Sequence, residues 1–168
     1  MAPPKFLYLL QCAQERDTTE LEGNESAVLQ LVYTSLSGKT QRNTTFEKRN
    51  SSWNEGRNAL LARAKDLYKP RLPQYLVFMD CDARLVEVRD FGSNTGQAYR
   101  TFERYLNRYM PPVGHAHFDW QPYDESKEVE HMTGNYDAIV NAFRRDVLDT
   151  LLPYETRWDP LIVMSAAN

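Results

Sequence analysis

Hydrophobic positions along this chain gather in short bursts separated by long polar stretches. KFLYLLQC (Lys5–Cys12), AVLQLVYTS (Ala27–Ser35) and YLVFM (Tyr75–Met79) are compact runs of apolar, aromatic and β-branched residues. Runs this short, bounded by polar segments, predict buried strands. A different pattern fills NSSWNEGRNALLARAKDLYK, where Leu60, Leu61, Ala64 and Leu67 share one face of a helix. Ser51 or Ser52 suits its N-cap, Glu55 stands where a capping box wants an acid, and Pro70 and Pro73 stop it. QAYRTFERYLNRY (Gln97–Tyr109) repeats its aromatic and Leu positions at helical spacing and predicts a second helix. Val113–Trp120 and Tyr136–Phe143 predict further strands, and Arg144–Leu152 a last helix closed by Pro153. Ala13–Ser26, Leu36–Ser52 and Gln121–Gly134 are polar and read as connecting segments. Strands alternating with helices make the class α/β, with a mainly parallel sheet in the N-terminal half.

Composition narrows the partners. The 168 residues suit one domain. A net charge of −3 supplies no basic field for nucleic acid. No apolar run reaches the roughly 18 residues of a membrane span. MAPPKFLYLLQCAQ reads as a first strand rather than a signal peptide. Cys12 and Cys81 are the only cysteines and each follows a predicted strand. The expectation is two buried free thiols, with a single bridge as the alternative. Sequons at Asn24, Asn43 and Asn50 only nudge localisation toward a secretory lumen, which would need an anchor or signal upstream of this sequence; the cytoplasm stays open as the other reading.

Chemistry concentrates at one strand end. In YLVFMDCDARL the third strand runs directly into Asp80 and Asp82. Open α/β sheets bind ligands at the carboxyl ends of their strands. Residues i and i+2 of an extended segment point the same way, so the two carboxylates can address one object. A hard divalent cation, Mg²⁺ or Mn²⁺, is the natural one, because it takes oxygen ligands and bridges carboxylates to phosphates. The same acids also suit a simple strand-end turn. Upstream, Trp53, Asn54, Arg57 and Asn58 cluster at a predicted helix start, which favours negative charge.

Taken together, "GRNALLARA" on a helix followed by a strand ending "FMDCDARL" resembles the GT-A class of nucleotide-sugar glycosyltransferases. The later segment NYDAIVNAFRRDVLDTLLPYETRWD resembles that family's strand near the donor sugar, with its following helix and turn to an acid. The resemblance implies a Rossmann-like sandwich spanning 1–168, with a nucleotide-binding half over 1–90 and a short acceptor half over 91–168. It implies transfer of a hexosyl or pentosyl group from a nucleoside-diphosphate sugar to a carbohydrate or other hydroxyl acceptor, with Mn²⁺ or Mg²⁺. Asp82 would hold the metal on the donor diphosphate, and Asp80 would contact ribose or the metal shell. Arg57, with Asn58 beside it, would approach the nucleobase, and Gln11 to Ala13 would form another wall. An inverting enzyme of this kind needs a carboxylate base. Asp159 is the candidate, with Asp137 and Glu155 behind it. The family's usual Glu-Asp pair is absent and the C-terminal half is short.

Other residues compete for roles. His115 and His117 alternate on one predicted strand and suit an acceptor groove, a metal site, or partly buried histidines with ordinary hydrogen bonds. Trp120, just before a polar stretch, is the tryptophan placed nearest an acceptor. Glu103, Arg104 and Arg108 read as the solvated face of a helix. Two rival functions stand beside transfer. One is a non-catalytic nucleotide-sugar-binding or interaction module of the same fold. The other is a metal-dependent nucleotidyltransferase, which also uses acids at strand ends. No GxxxxGK[ST] loop is present, which argues against a P-loop enzyme.

Overall fold

The computed structural model describes residues 3–34, 45–87, 95–116, 139–157 and 159. These form an α/β architecture around a six-stranded mixed sheet of order β3-β2-β1-β4-β6-β5. The strands are β1 (Phe6–Cys12), β2 (Ser26–Val32), β3 (Thr45–Glu47), β4 (Tyr75–Asp80), β5 (Val113–His115) and β6 (Val140–Arg144). β1 to β4 are mutually parallel; β6 runs antiparallel to both β4 and β5. The sheet is therefore mostly parallel, with the reversed strand in its C-terminal half.

The reason the first runs lack polar alternation is now visible. Helix α1 (Trp53–Leu67) covers one face of the sheet and α2 (Thr95–Tyr109) the other. Leu7, Leu9, Leu76 and Phe78 pack with Leu60, Leu61 and Ala64 under α1. Phe6, Tyr8, Leu10, Tyr75 and Val77 pack with Tyr99, Phe102 and Leu106 under α2. A strand buried on both faces reads as continuous hydrophobicity.

α1 begins as its sequence predicts. Ser52 accepts from the Glu55 backbone N–H at 3.1 Å, and the Glu55 carboxylate accepts from the Ser52 N–H at 2.9 Å, completing the capping box. Its opposite end stops at Tyr68, ahead of Pro70.

Several expectations are revised. β3 lies inside the stretch read as a connecting segment. It is a three-residue strand paired to β2 from Gln30↔Thr45 to Val32↔Glu47, too short and polar to leave a periodic signature. The last predicted helix is a 3₁₀ turn (Arg145–Val147) followed by one turn of helix, α3 (Leu148–Leu151), because Arg144 still belongs to β6. Glu103 is not on a solvated face. It is buried beneath α2, where it accepts from Tyr8 Oη at 3.1 Å and Ser26 Oγ at 2.6 Å and pairs with Arg100 at 2.9 Å. Residues 117–120 and 136–138 of the later predicted strands lie outside the described residues.

The two thiols are not free. Cys12 and Cys81 form a disulfide with their Cα atoms 4.9 Å apart. Parallel β1 and β4 pair as far as Gln11↔Asp80, so the next residue on each strand meets the other. Spacing along the chain carries no hint of this, because strand adjacency and register decide it.

Candidate functional site

Strand order changes direction at β1. The chain places β2 and β3 on one side of it and β4 on the other, so a crevice is expected between the carboxyl ends of β1 and β4. A cavity of about 640 Å³ opens there. Gln11 and Ala13 come from the end of β1, Asp80, Cys81 and Asp82 from the end of β4, and Trp53 from the start of α1. Tyr33, just after β2, adds a second aromatic ring to the lining. The volume falls within the range typical of small-molecule sites.

Asp80 closes β4 and turns toward α1. Its Oδ1 accepts from Arg57 Nη2 at 2.6 Å and from Trp53 Nε1 at 3.1 Å. The Arg57 guanidinium lies 3.9 Å from the centroid of the Trp53 ring and 5.7 Å from that of Phe78. Arg57 is 1% exposed, while Asp80 is 29% exposed. The arginine is thus a buried support beneath the wall, and the aspartate is the group that reaches solvent. A charged head this deep is tolerable because a carboxylate and a π-face both meet it. Arg57 Nε and Nη1 and Gln11 Oε1 are buried with no hydrogen-bond partner among the described residues.

Asp82 is exposed and has no hydrogen bond or ion pair with another described residue. The backbone between the two acids is not extended, as the i, i+2 argument assumes. Ala83 N–H donates to Asp80 C=O at 3.1 Å, closing a turn over Asp80–Ala83. Both acids still line the same cavity. A strand-end turn and a shared cavity wall are therefore compatible, because the turn brings Asp82 round rather than letting it continue along β4.

Two ties hold this turn to β1. The disulfide joins Cys81, between the acids, to fully buried Cys12. Arg16 is the second tie: its Nη1 donates to Cys81 C=O at 2.6 Å and Ala83 C=O at 3.1 Å, while Nη2 pairs with Glu20. Gln30 in β2 fixes the Arg16 backbone through bonds of 3.1 and 2.7 Å. Sequence reasoning missed Arg16; it sits in a polar stretch with no motif around it.

The remaining candidates scatter. Gln11 is at the wall, its Nε2 donating to Ser52 C=O at 3.1 Å, and it approaches α1 closely because Gly56 has no side chain there. A Cβ on Gly56 would lie 2.3 Å from the Gln11 amide. Asn58 sits on α1 away from the cavity, and exchanges 2.8 Å bonds with the Tyr154 backbone. Asp159 is buried: one carboxylate oxygen accepts from Ser52 and the other from Asn54. Asn54 also donates to Glu155 C=O at 2.9 Å. Those bonds fasten the segment after α3 onto the first turn of α1. Glu155 itself is exposed. His115 ends β5, beyond β6, level with Asn141, and does not line the cavity. Asp137, His117 and Trp120 lie outside the described residues.

No family model, curated protein or solved structure matches this chain. Its function is therefore read from the site alone. Among the described residues no group of three or more His, Cys, Asp or Glu side chains could hold a metal ion by itself. Two carboxylates at a cavity wall, one with Oδ1 already committed, match a hard cation that also takes phosphate oxygens and water.

Proposed function

We propose that the protein is a GT-A-type glycosyltransferase, moving a sugar from a nucleoside-diphosphate donor to a hydroxyl acceptor with Mn²⁺ or Mg²⁺. The observation that carries this reading is the cavity between β1 and β4 with Asp80 and Asp82 on its wall. Ligands of open α/β sheets collect at such a switch point. Trp53 and Tyr33 line the cavity and offer aromatic surface for a base or sugar.

In this reading Asp82 and the outer oxygen of Asp80 hold the divalent ion against the donor diphosphate. The ion supplies charge neutralisation for the leaving diphosphate. Arg57 and Trp53 keep Asp80 oriented, so its aim does not have to be found anew for each donor. Gln11 lines the same wall through a side chain held to α1 by its bond to the Ser52 carbonyl. The Cys12–Cys81 bridge and the exposed Asn24 and Asn50 support an oxidising, lumenal setting.

A second reading, nucleotide-sugar binding without turnover, is favoured by one specific feature. Both oxygens of Asp159 are engaged by Ser52 and Asn54, which suits a strut better than a base. Calorimetric titration with nucleoside diphosphates and diphosphate-sugars, with and without Mn²⁺, tests the first reading. Metal-dependent binding of one nucleotide is the expected result, and hydrolysis or transfer of the matching sugar separates enzyme from binding module. Preference for a nucleoside triphosphate would point to nucleotidyl transfer. Absence of binding across the panel overturns the reading.

A further inference from the structure

The bridge between β1 and β4 stands where a structural disulfide is least needed for pairing. Six register pairs, Phe6↔Tyr75 through Gln11↔Asp80, already hold the two strands together. Cys12–Cys81 lies one residue beyond the last of them and ties down the residue between the two acids. Its two sulfurs have different surroundings. Cys12 is fully buried under α2, whereas Cys81 is part-exposed and lines the cavity. The bond is therefore approachable from the ligand's side and from one end.

We propose that the Cys12–Cys81 disulfide is a redox device that holds the Asp80–Asp82 turn in its ligand-binding form. Its functional consequence rests on the nucleotide-sugar reading of the cavity. With the bridge closed, Cys81 is anchored through its side chain to a buried strand. With the bridge open, Asp80 at the start of the turn keeps its bonds to Arg57, Trp53 and the Ile139 carbonyl, while beyond it the Cys81 and Ala83 carbonyls keep their bonds from Arg16. Arg16 lies in the polar segment after β1, tied to the sheet through Gln30, and it holds the backbone of the turn but not the Asp82 side chain. The consequence falls on the direction of Asp82, which has no side-chain tie of its own to a described residue.

The chemistry is a thiol–disulfide exchange with a dithiol reductant. A thiolate of the dithiol attacks Cys81 Sγ from the cavity and forms a mixed disulfide. The Cys12–Cys81 bond breaks and Cys12 leaves as a thiolate that takes up a proton. The second thiol of the reagent then attacks the mixed disulfide, leaving the reagent as a cyclic disulfide and Cys81 as a thiol. Two electrons pass from the dithiol to the protein. A low-molecular-weight disulfide runs the exchange in reverse. In an oxidising compartment the site is closed into its binding form; in a reducing one it is slack.

The test compares the full chain oxidised, reduced with dithiothreitol, and reoxidised, alongside a Cys12→Ala/Cys81→Ala variant. Thiol titration, circular dichroism and melting check the bridge and the fold. Two readouts follow: calorimetric affinity for the nucleoside diphosphate panel with Mn²⁺, and hydrogen exchange of the peptide carrying Asp80–Ala83. Reduction is expected to weaken binding by at least about 10-fold, the scale on which positioning groups act at metal sites, and to be reversed by reoxidation. Exchange at the turn is expected to accelerate while the sheet stays protected.

Where nucleotide binds, equal affinity in the two forms overturns the proposal and leaves the donor reading standing. Where neither form binds, the exchange result decides. Faster exchange on reduction keeps the device and removes the donor reading; unchanged exchange removes both. Two free thiols in protein prepared under oxidising conditions overturn the proposal, as does loss of the cooperative fold in both the reduced chain and the alanine variant, which would make the bridge a staple for the whole sheet.

Discussion

Two buried polar clusters flank β1, and they are built to opposite plans. Under α2, Glu103 takes Tyr8, Ser26 and Arg100, while Arg100 Nη2 donates onward to Leu21 C=O at 2.7 Å. Among the described residues none of the buried polar side-chain atoms of that cluster lacks a partner. Under the start of α1, Arg57, Trp53 and Asp80 form the second cluster. This one is incomplete among the described residues: two Arg57 nitrogens and the Gln11 carbonyl oxygen are buried without a hydrogen-bond partner, and Asp80 lines a cavity of about 640 Å³. A satisfied buried network fixes how elements pack. One that stays partly unsatisfied is costly for folding alone and needs an explanation, and the proposed binding site is placed beside it for that reason. Both clusters pair an arginine with a carboxylate, but burial is reversed: Glu103 is the buried partner in the first and Arg57 in the second, which leaves the carboxylate facing solvent only at the candidate site.

The comparison breaks most easily at the acids. Asp80→Ala should leave Arg57 buried without its counter-ion and cost roughly 3–5 kcal/mol in a urea melt. Asp82→Ala should change stability by no more than about 0.5 kcal/mol, since the side chain is exposed and untied. Yet the same Asp82→Ala protein should lose metal-dependent nucleotide binding in the calorimeter. Equal stability losses, or retained binding in the Asp82 variant, would erase the distinction between support and site.

Glu103→Gln probes the closed cluster. Weakening bonds that a buried carboxylate makes should cost about 1–3 kcal/mol at neutral pH, with nucleotide affinity unchanged. The pH profile sharpens this. Burial, only partly offset by the bonds from Ser26, Arg100 and Tyr8, raises the Glu103 carboxyl above its ordinary 4.5. From about 4.5 upward the unfolded chain ionises Glu103 while the folded chain keeps its proton. The folded state then binds more protons, so this group's contribution to stability falls as pH rises from 4.5 through the raised value and is level above it. Urea melts across that window should show a decline that Glu103→Gln removes. A decline of the same size in both proteins would assign it to other carboxylates.

Smaller effects test the wall itself. Trp53→Phe keeps a ring over Arg57 but removes the 3.1 Å bond to Asp80, for an expected loss of about 1 kcal/mol and weaker nucleotide binding. Gly56→Ala should be near neutral in stability, because a helix interior gains up to about 1 kcal/mol from Ala over Gly. That gain is set against the displaced Gln11 amide, 2.3 Å from the new Cβ. If Gln11 contributes to the wall, affinity drops although stability does not. Unchanged affinity would remove Gln11 from the site.

Much of the α/β framework was legible along the chain because both-face burial writes itself as uninterrupted apolar runs. β1, β2 and β4 all appear there within a few residues of their ends, and the capping box at Ser52 and Glu55 announces α1. The strand-end position of Asp80 and Asp82 was readable for the same reason. β3 was not, since three partly polar residues on a sheet edge bury too little to leave a pattern. Glu103 misled because a helical period does not tell which polar residue has a partner across the core.

Local order along the chain thus sets which segments become strands and helices, through periodicity, caps and turn residues that act over a few neighbours. Contacts between distant residues were decided only once the sheet was assembled. Register brought Cys12 to Cys81, packing of α1 on β4 carried Arg57 to Asp80, and the segment after α3 returned to engage Asp159 at the first turn of α1. Each joins residues separated by 23 to 107 positions. Pairing over such separations is set by the geometry of the closed core, which no short stretch of sequence encodes.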